Sequence, residues 1–200
     1  MEIVLVRHAL PLRVDATPDD SPADPGLAPL GHEQAATVVA ALAGQDVAAL
    51  YTSPAARARE TAAPLEQALS MTAGVEPGVA EFDLGESSYV PIEELKAAGD
   101  PRYDALVRGD LYSAGIDPVA FRRTVVEAVE RLAAAHPGER VVVFSHAGAI
   151  NAAAGGLLAQ ERTIWFAPAY CSLTRLAYSR GGRRSVVSLN EVGHVRSLLG

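Results

Sequence analysis

Cysteine is nearly missing from this 200-residue chain: Cys171 stands alone, which excludes an internal disulfide and any metal site built from clustered thiolates. A small buried apolar side chain is its expected role. Long hydrophobic runs are missing too. No stretch approaches the roughly 20 apolar residues that span a bilayer, and the opening Met1-Glu2-Ile3-Val4-Leu5-Val6-Arg7 has no basic leader before Arg7 cuts its apolar run. The expectation is a soluble, cytoplasmic protein with no membrane partner. Basic residues are outnumbered, 17 Lys and Arg against 24 Asp and Glu, for a net charge of -7. Such a surface repels a phosphate backbone, so nucleic acid is not an expected partner, and a small anionic substrate needs a local basic pocket. Nucleotide and metal signatures are absent as well. No GxGxxG follows a strand, no HExxH occurs, and the five histidines are scattered. Neither a repeat nor a low-complexity linker divides the chain.

What is present is enough for one core. With 49% apolar and 20% charged residues, residues 1–200 are expected to form a single domain. Ile3 to Val6 is a short, wholly apolar, β-branched run, the pattern of a strand buried on both faces of a parallel sheet. A Pro- and Asp-rich loop from Pro11 to Pro29 follows, then helical spacing from Gly31 to Leu42. The unit recurs: Val47 to Thr52 reads as a strand, and Ser53-Pro54 as the N-cap and first residue of a helix reaching about Leu69. A third strand is expected near Val75 to Ala80. Residues 85–118 are rich in Gly, Pro, Asp and Tyr and read as an inserted lid of loops and short helices. A helix from about Pro118 to Ala135 stops at His136-Pro137-Gly138. Val141 to Phe144 is the second buried strand, followed by Ser145-His146-Ala147-Gly148 and a small-residue helix to about Leu158. Ser172 to Tyr178 and Ser185 to Asn190 form a hairpin around Ser179 to Arg183. The fold class is therefore α/β: three layers, a mostly parallel sheet with one antiparallel strand, helices on both faces, and the insertion over the C-terminal sheet edge.

Ligands of open parallel sheets bind beyond the C-terminal strand ends. Arg7-His8, Arg57 and His146 fall at such ends or at the helix starts that follow. Two arginines and two histidines converging on one edge crowd like charges together, which is costly unless an anion lies between them.

Beyond that, the segments resemble a known family. Leu5-Val6-Arg7-His8-Ala9 resembles the LVRHG signature of the histidine phosphatase (phosphoglycerate mutase-like) superfamily. Leu27-Ala28-Pro29-Leu30-Gly31-His32-Glu33-Gln34-Ala35 is similar to its LTxxGxxQA segment, and the ten residues from Ser53 to Ala62 are similar to SPLxRAxxTA. Glu81-Phe82-Asp83-Leu84-Gly85 resembles ExxxG, and Ser145 to Gly148 resembles SHGG. The resemblance implies that His8 attacks phosphorus as a neutral imidazole and forms a phosphohistidine, while Arg7, Arg57 and His146 hold the phosphoryl oxygens without a metal or other cofactor. It implies Glu81 as general acid and then base, with Asp83 and Glu86 as neighbouring alternatives.

The chain departs from the family pattern at several places. Ala9 stands where many members have glycine. Val14 stands where many place an asparagine on phosphate, with Arg13 a substitute for that contact, and Ala169-Tyr170 falls where another asparagine often precedes a strand. The mutase branch carries a longer chain and a full RHGxSxWN motif, which this sequence lacks. Hydrolysis of a small phosphorylated metabolite is thus the expected reaction, with mutase-type phosphotransfer and a weakly catalytic phosphate-binding or interaction domain as the alternatives. Tyr89, Arg102, Tyr103, Arg108, Tyr112, Trp165, Phe166 and Tyr170 are the expected pocket walls, and a homodimer is left open.

Overall fold

The computed structural model describes residues 1–17, 19–109 and 115–199. Six strands form one sheet in the order β3-β2-β4-β1-β5-β6. These are β1 (Glu2–Arg7), β2 (Ala49–Thr52), β3 (Gly74–Val75), β4 (Arg140–Ser145), β5 (Leu173–Tyr178) and β6 (Arg184–Glu191). Strand β1 pairs in parallel with β4, and β4 with β2; β5 alone runs against the others, antiparallel to both β1 and β6. The helices are α1 (Pro29–Leu42), α2 (Ala56–Leu69), α3 (Ile92–Ala98), α4 (Pro101–Arg108), α5 (Pro118–Ala135) and α6 (Ala147–Leu157). Among the described residues no helix is long and apolar enough to cross a membrane.

The two-residue period of the strands divides the core into two layers. Val4, Val6, Val142 and Phe144 face α1 and α2, where Ala35, Val38, Leu42, Ala58, Ala62 and Leu65 receive them. Ile3, Leu5, Val141 and Val143 point the other way, against Val125, Val129 and Leu132 of α5 and Ile150 of α6. Covering both faces is why β1 and β4 are apolar at every interior position instead of alternating. Helix α5 starts where Asp117 Oδ1 accepts from the amides of Val119 and Ala120, at 2.9 and 3.1 Å, and ends ahead of Gly138 at φ 89°.

Two local expectations are corrected. Ser53 is not the N-cap of α2. That helix begins at Ala56 after Ala55, which makes no side-chain cap, and the exposed amide of Ala56 instead donates to Asp24 Oδ1 at 2.7 Å. The Ser53 hydroxyl is engaged elsewhere, as described below. The strand expected over Val75 to Ala80 shrinks to β3 and a 3-10 turn, Pro77–Val79. Pro77 has no amide for a ladder, and Glu76 Oε1 accepts from Gly78 N at 2.9 Å, which tightens the chain into the turn.

The insertion carries α3 and α4 and is tied to the loop after β1. Val14 and Tyr89 exchange backbone hydrogen bonds of 2.9 and 2.7 Å, and Thr17 N donates to Ser87 O at 2.9 Å. Tyr112 lies outside the described residues.

Candidate active site

Adjacent parallel strands bring the expected residues to one place. Arg7 and Ser145 are register partners at the ends of β1 and β4, so the chain leaves the sheet there as His8 and His146, whose ring centroids lie 5.0 Å apart. The His8 amide donates to Ser145 O at 2.8 Å. Strand β2 flanks β4 on the other side, and the helix that follows β2 supplies Arg57 from its first turn. All four side chains are buried: Arg7 is 5% exposed, His8 3%, Arg57 1% and His146 0%. Two guanidinium groups withdrawn from water at one sheet edge place buried positive charge in a chain that is acidic overall.

The hydrogen bonds orient each group. His8 Nδ1 lies 2.8 Å from Ala9 O. A carbonyl only accepts, so Nδ1 carries the proton and Nε2 keeps its lone pair. Burial, then His146, Arg57 and Arg7, hold the His8 imidazole well below its ordinary range, and it is neutral at neutral pH. His146 is held low by burial and the same two arginines. Its Nε2 sits 2.6 Å from Ser53 Oγ, and that oxygen also accepts from Ala55 N at 3.3 Å. Ala55 N can only donate, so Nε2 is the acceptor that these partners offer to the Ser53 hydroxyl proton, which leaves the His146 proton on Nδ1.

That Nδ1 has no partner. Among the described residues five buried side-chain polar atoms are unsatisfied, and Arg7 Nε, Arg57 Nε and His146 Nδ1 are three of them. Unmatched buried donors cost free energy; three in one cluster, all donors, are complementary to an anion with several oxygens.

One terminal nitrogen of each guanidinium is occupied. Arg7 Nη1 donates to Pro168 O at 2.7 Å and lies 3.6 Å from Glu93 Oε1, and Arg57 Nη2 donates to Asp83 Oδ1 at 2.6 Å. Each guanidinium also lies over a tyrosine, Arg7 over Tyr170 at 3.9 Å and Arg57 over Tyr89 at 4.5 Å. Tyr170, at the position where the family often has asparagine, thus supports Arg7 from below, and its hydroxyl donates to Glu93 Oε2 at 2.5 Å.

The three acidic residues separate by environment. Glu81 is half-buried and accepts from the Gly148 amide at 2.7 Å and from Phe82 N at 3.3 Å. A Cβ at position 148 would overlap its carboxylate, so this approach requires glycine. Burial, then the charge of Asp83, pushes Glu81 up to about 7. Asp83 is committed to Arg57. Glu86 is exposed and lines the cavity without a hydrogen bond to the cluster. Arg13 is also placed away from the site. It is half-exposed and paired with Asp15 and Glu94, and it does not replace the asparagine contact missing at Val14.

A cavity of about 500 Å³ opens over the cluster, walled by Arg7, His8, Arg57, Glu81 and Gly148 from the sheet edge and by Tyr89 and Arg102 from the insertion. Tyr103, Trp165 and Phe166 line a neighbouring cavity, whereas Arg108 lines neither. Cys171 is buried, as its isolation implied.

Sequence reasoning missed Asn151. It is wholly buried in α6, where Oδ1 accepts from the amides of Trp165 and Phe166 at 2.8 and 3.0 Å and Nδ2 donates to Phe166 O at 2.9 Å. These bonds hold the loop whose Pro168 carbonyl receives Arg7. The available signal was a single amide side chain within Ala147–Leu157, a helix otherwise made of small and apolar residues.

Residues 3–192 match the model of the histidine phosphatase superfamily, branch 1. No curated protein is similar enough in sequence to count as a match. Among solved structures, a phosphoserine phosphatase from Entamoeba histolytica crystallised with phosphoserine is 23% identical, with a TM-score of 0.74 over 97% of this chain and 98% of that one. A mycobacterial glucosyl-3-phosphoglycerate phosphatase in complex with VO3 is 21% identical, with a TM-score of 0.76 over 95% and 98%. At such identities these two likenesses show a shared fold.

Proposed function

The chain belongs to the histidine phosphatase superfamily, and from that premise we propose that it is a metal-independent phosphomonoester hydrolase working through a phosphohistidine on His8. One observation carries the reading: a buried, neutral imidazole with its Nδ1 proton bound to Ala9 O and its Nε2 lone pair free, beside three buried donors that lack partners.

In the first step the Nε2 lone pair of His8 attacks phosphorus, the bond from phosphorus to the ester oxygen breaks, and Glu81 gives its proton to the departing alkoxide. Arg7 Nε, Arg57 Nε and His146 Nδ1 hold the phosphoryl oxygens as negative charge spreads over them. In the second step the Glu81 carboxylate takes a proton from water, the water oxygen attacks phosphorus, and the phosphorus–nitrogen bond breaks. His8 and Glu81 return to their starting forms and inorganic phosphate leaves. Asp83 and Glu93 lie on the two arginines in the free enzyme, so a doubly charged phosphoryl group competes with them and favours substrates with the full phosphate dianion. The similar structures named for phosphoserine and glucosyl-3-phosphoglycerate support a small phosphorylated metabolite as substrate.

The test is phosphate release from an aryl phosphate and a panel of metabolite phosphates in EDTA, for wild type and His8→Ala. Wild type is expected to turn over with chelator present and His8→Ala to lose at least about a thousandfold in kcat, since no other side chain takes the nucleophile's place. Equal rates for the two proteins would overturn the proposal. Isomerisation of 3-phosphoglycerate without phosphate release would point to mutase chemistry.

A further inference from the structure

A second cavity of about 440 Å³ lies against the first, and the two share Arg7, Ile92, Leu106, Ala147 and Ile164 as walls. The phosphoryl chemistry has no use for it. Its own walls are largely apolar and aromatic: Trp165 and Phe166, with ring centroids 4.6 Å apart, together with Tyr103, Val107 and Pro168. Its charged members are Lys96 and Arg162, both exposed, and Glu93, whose carboxylate is held by the Tyr170 hydroxyl.

This chamber is preformed. Asn151 binds the backbone of Trp165 and Phe166, the Trp165 indole Nε1 donates to Asn151 O at 3.1 Å, and Ala169 N donates to Asn190 Oδ1 at 2.8 Å. The aromatic wall is therefore ordered before any ligand arrives, which removes part of the entropic cost of binding. Its position relative to the chemistry is defined too. Ala147 belongs to both cavities, and the next residue, Gly148, holds the carboxylate of Glu81. The chamber thus opens off the cavity that Glu81 lines, at the residue preceding the glycine that holds its carboxylate.

We propose that the second chamber receives the body of the departing alcohol, and that it fits phosphomonoesters whose alcohol carries a flat aromatic or extended apolar group. The direction of departure rests on the phosphatase reading above. A volume of about 440 Å³ is that of a site for a ring-bearing ligand. A short polar alcohol would leave the Trp165 and Phe166 faces wet, whereas a flat ring gains both apolar burial and stacking there.

The test uses two non-hydrolysable ligands of equal charge, 3-phenylpropylphosphonate and propylphosphonate, titrated calorimetrically into wild type and Ala167→Trp. Ala167 is exposed and lines the second chamber alone, so the indole fills that space without crowding the core. The phenyl ligand is expected to bind wild type at least about tenfold more tightly, with that ratio falling at least about threefold in A167W. Equal affinities in wild type, or a ratio untouched by A167W, would overturn the assignment. The matched phosphate esters separate this inference from the one beneath it. Preferential binding with neither ester hydrolysed would sustain the chamber and sink the phosphatase reading; hydrolysis of both at equal kcat/KM, with equal phosphonate affinities, would do the reverse.

Discussion

Glu81 and Asp83 stand two residues apart with different partners, and the pH dependence of the reaction should follow from that difference. Burial and the Asp83 charge raise Glu81 to about 7, so the free enzyme loses its protonated acid as pH rises through that value. His8, held well below its ordinary range, stays neutral throughout and adds no limb near neutrality. For an alkyl phosphate, kcat/KM is expected to fall on the basic side with an apparent pKa near 7. Glu81→Gln should remove that limb and lower the rate about a hundredfold or more. Asp83→Asn takes away a negative charge that raises Glu81, so its basic limb should move to lower pH. The ionisation of the substrate itself is common to all three proteins and cancels in the comparison; a limb unmoved in both variants would contradict the assignment. At this scale Arg7, His8, Arg57 and His146 were legible because each sits at a strand end or helix start. Ser53 was not, since a serine before proline has the local pattern of a cap, and only the fold brings the His146 imidazole within 2.6 Å of its hydroxyl.

Helix α6 and the loop that follows it act as one unit through Asn151. Asn151→Ala would strand the amides of Trp165 and Phe166, each at a cost of about 1 to 3 kcal/mol, and loosen the carbonyl that receives Arg7. The expected result is a lower melting temperature with a severalfold rise in KM that exceeds the fall in kcat, because the loop positions a binding group and touches no reacting atom. Unchanged KM and melting temperature would remove Asn151 from this role. Elements with a strong local signal were read closely: α5 runs from Pro118 to Ala135 as its proline start and Pro137-Gly138 stop implied, and the hairpin of β5 and β6 surrounds the expected turn. Elements whose ends depend on distant partners were not. The start of α2 is capped by Asp24 from a loop 32 residues away, and β3 is cut short by a side-chain turn at Glu76.

Across the whole molecule, the alternation of Ile3, Leu5, Val141 and Val143 with Val4, Val6, Val142 and Phe144 explains why the layered architecture was readable: uninterrupted apolar strands require helices on both faces. The contents of the two cavities were not readable, because the insertion and the loop near Trp165 meet only in three dimensions. The same buried groups set limits on stability. For Glu81 the folded value of about 7 lies above the ordinary 4.5, so its contribution is full below 4.5 and is lost as pH rises through 7. For His8 and His146 the folded values lie below the ordinary 6.5, so their contribution is present above 6.5 and is lost as pH falls. Between about 4.5 and 7 the two effects therefore oppose each other, the imidazoles favouring higher pH and Glu81 lower, and above 7 neither changes further. Glu81→Gln should melt higher than wild type at pH 8, with the gap closing at pH 5; no gap at pH 8 would argue against a withdrawn carboxyl. The central claim, covalent transfer to His8, is tested most directly by rapid quench into base during turnover of a phosphomonoester, followed by mass spectrometry of the peptide containing His8. A base-stable, acid-labile phosphate on His8 in wild type, absent from His8→Ala, is the expected result. Steady phosphate release with no phosphorylated His8 at any time within the first turnover would contradict it.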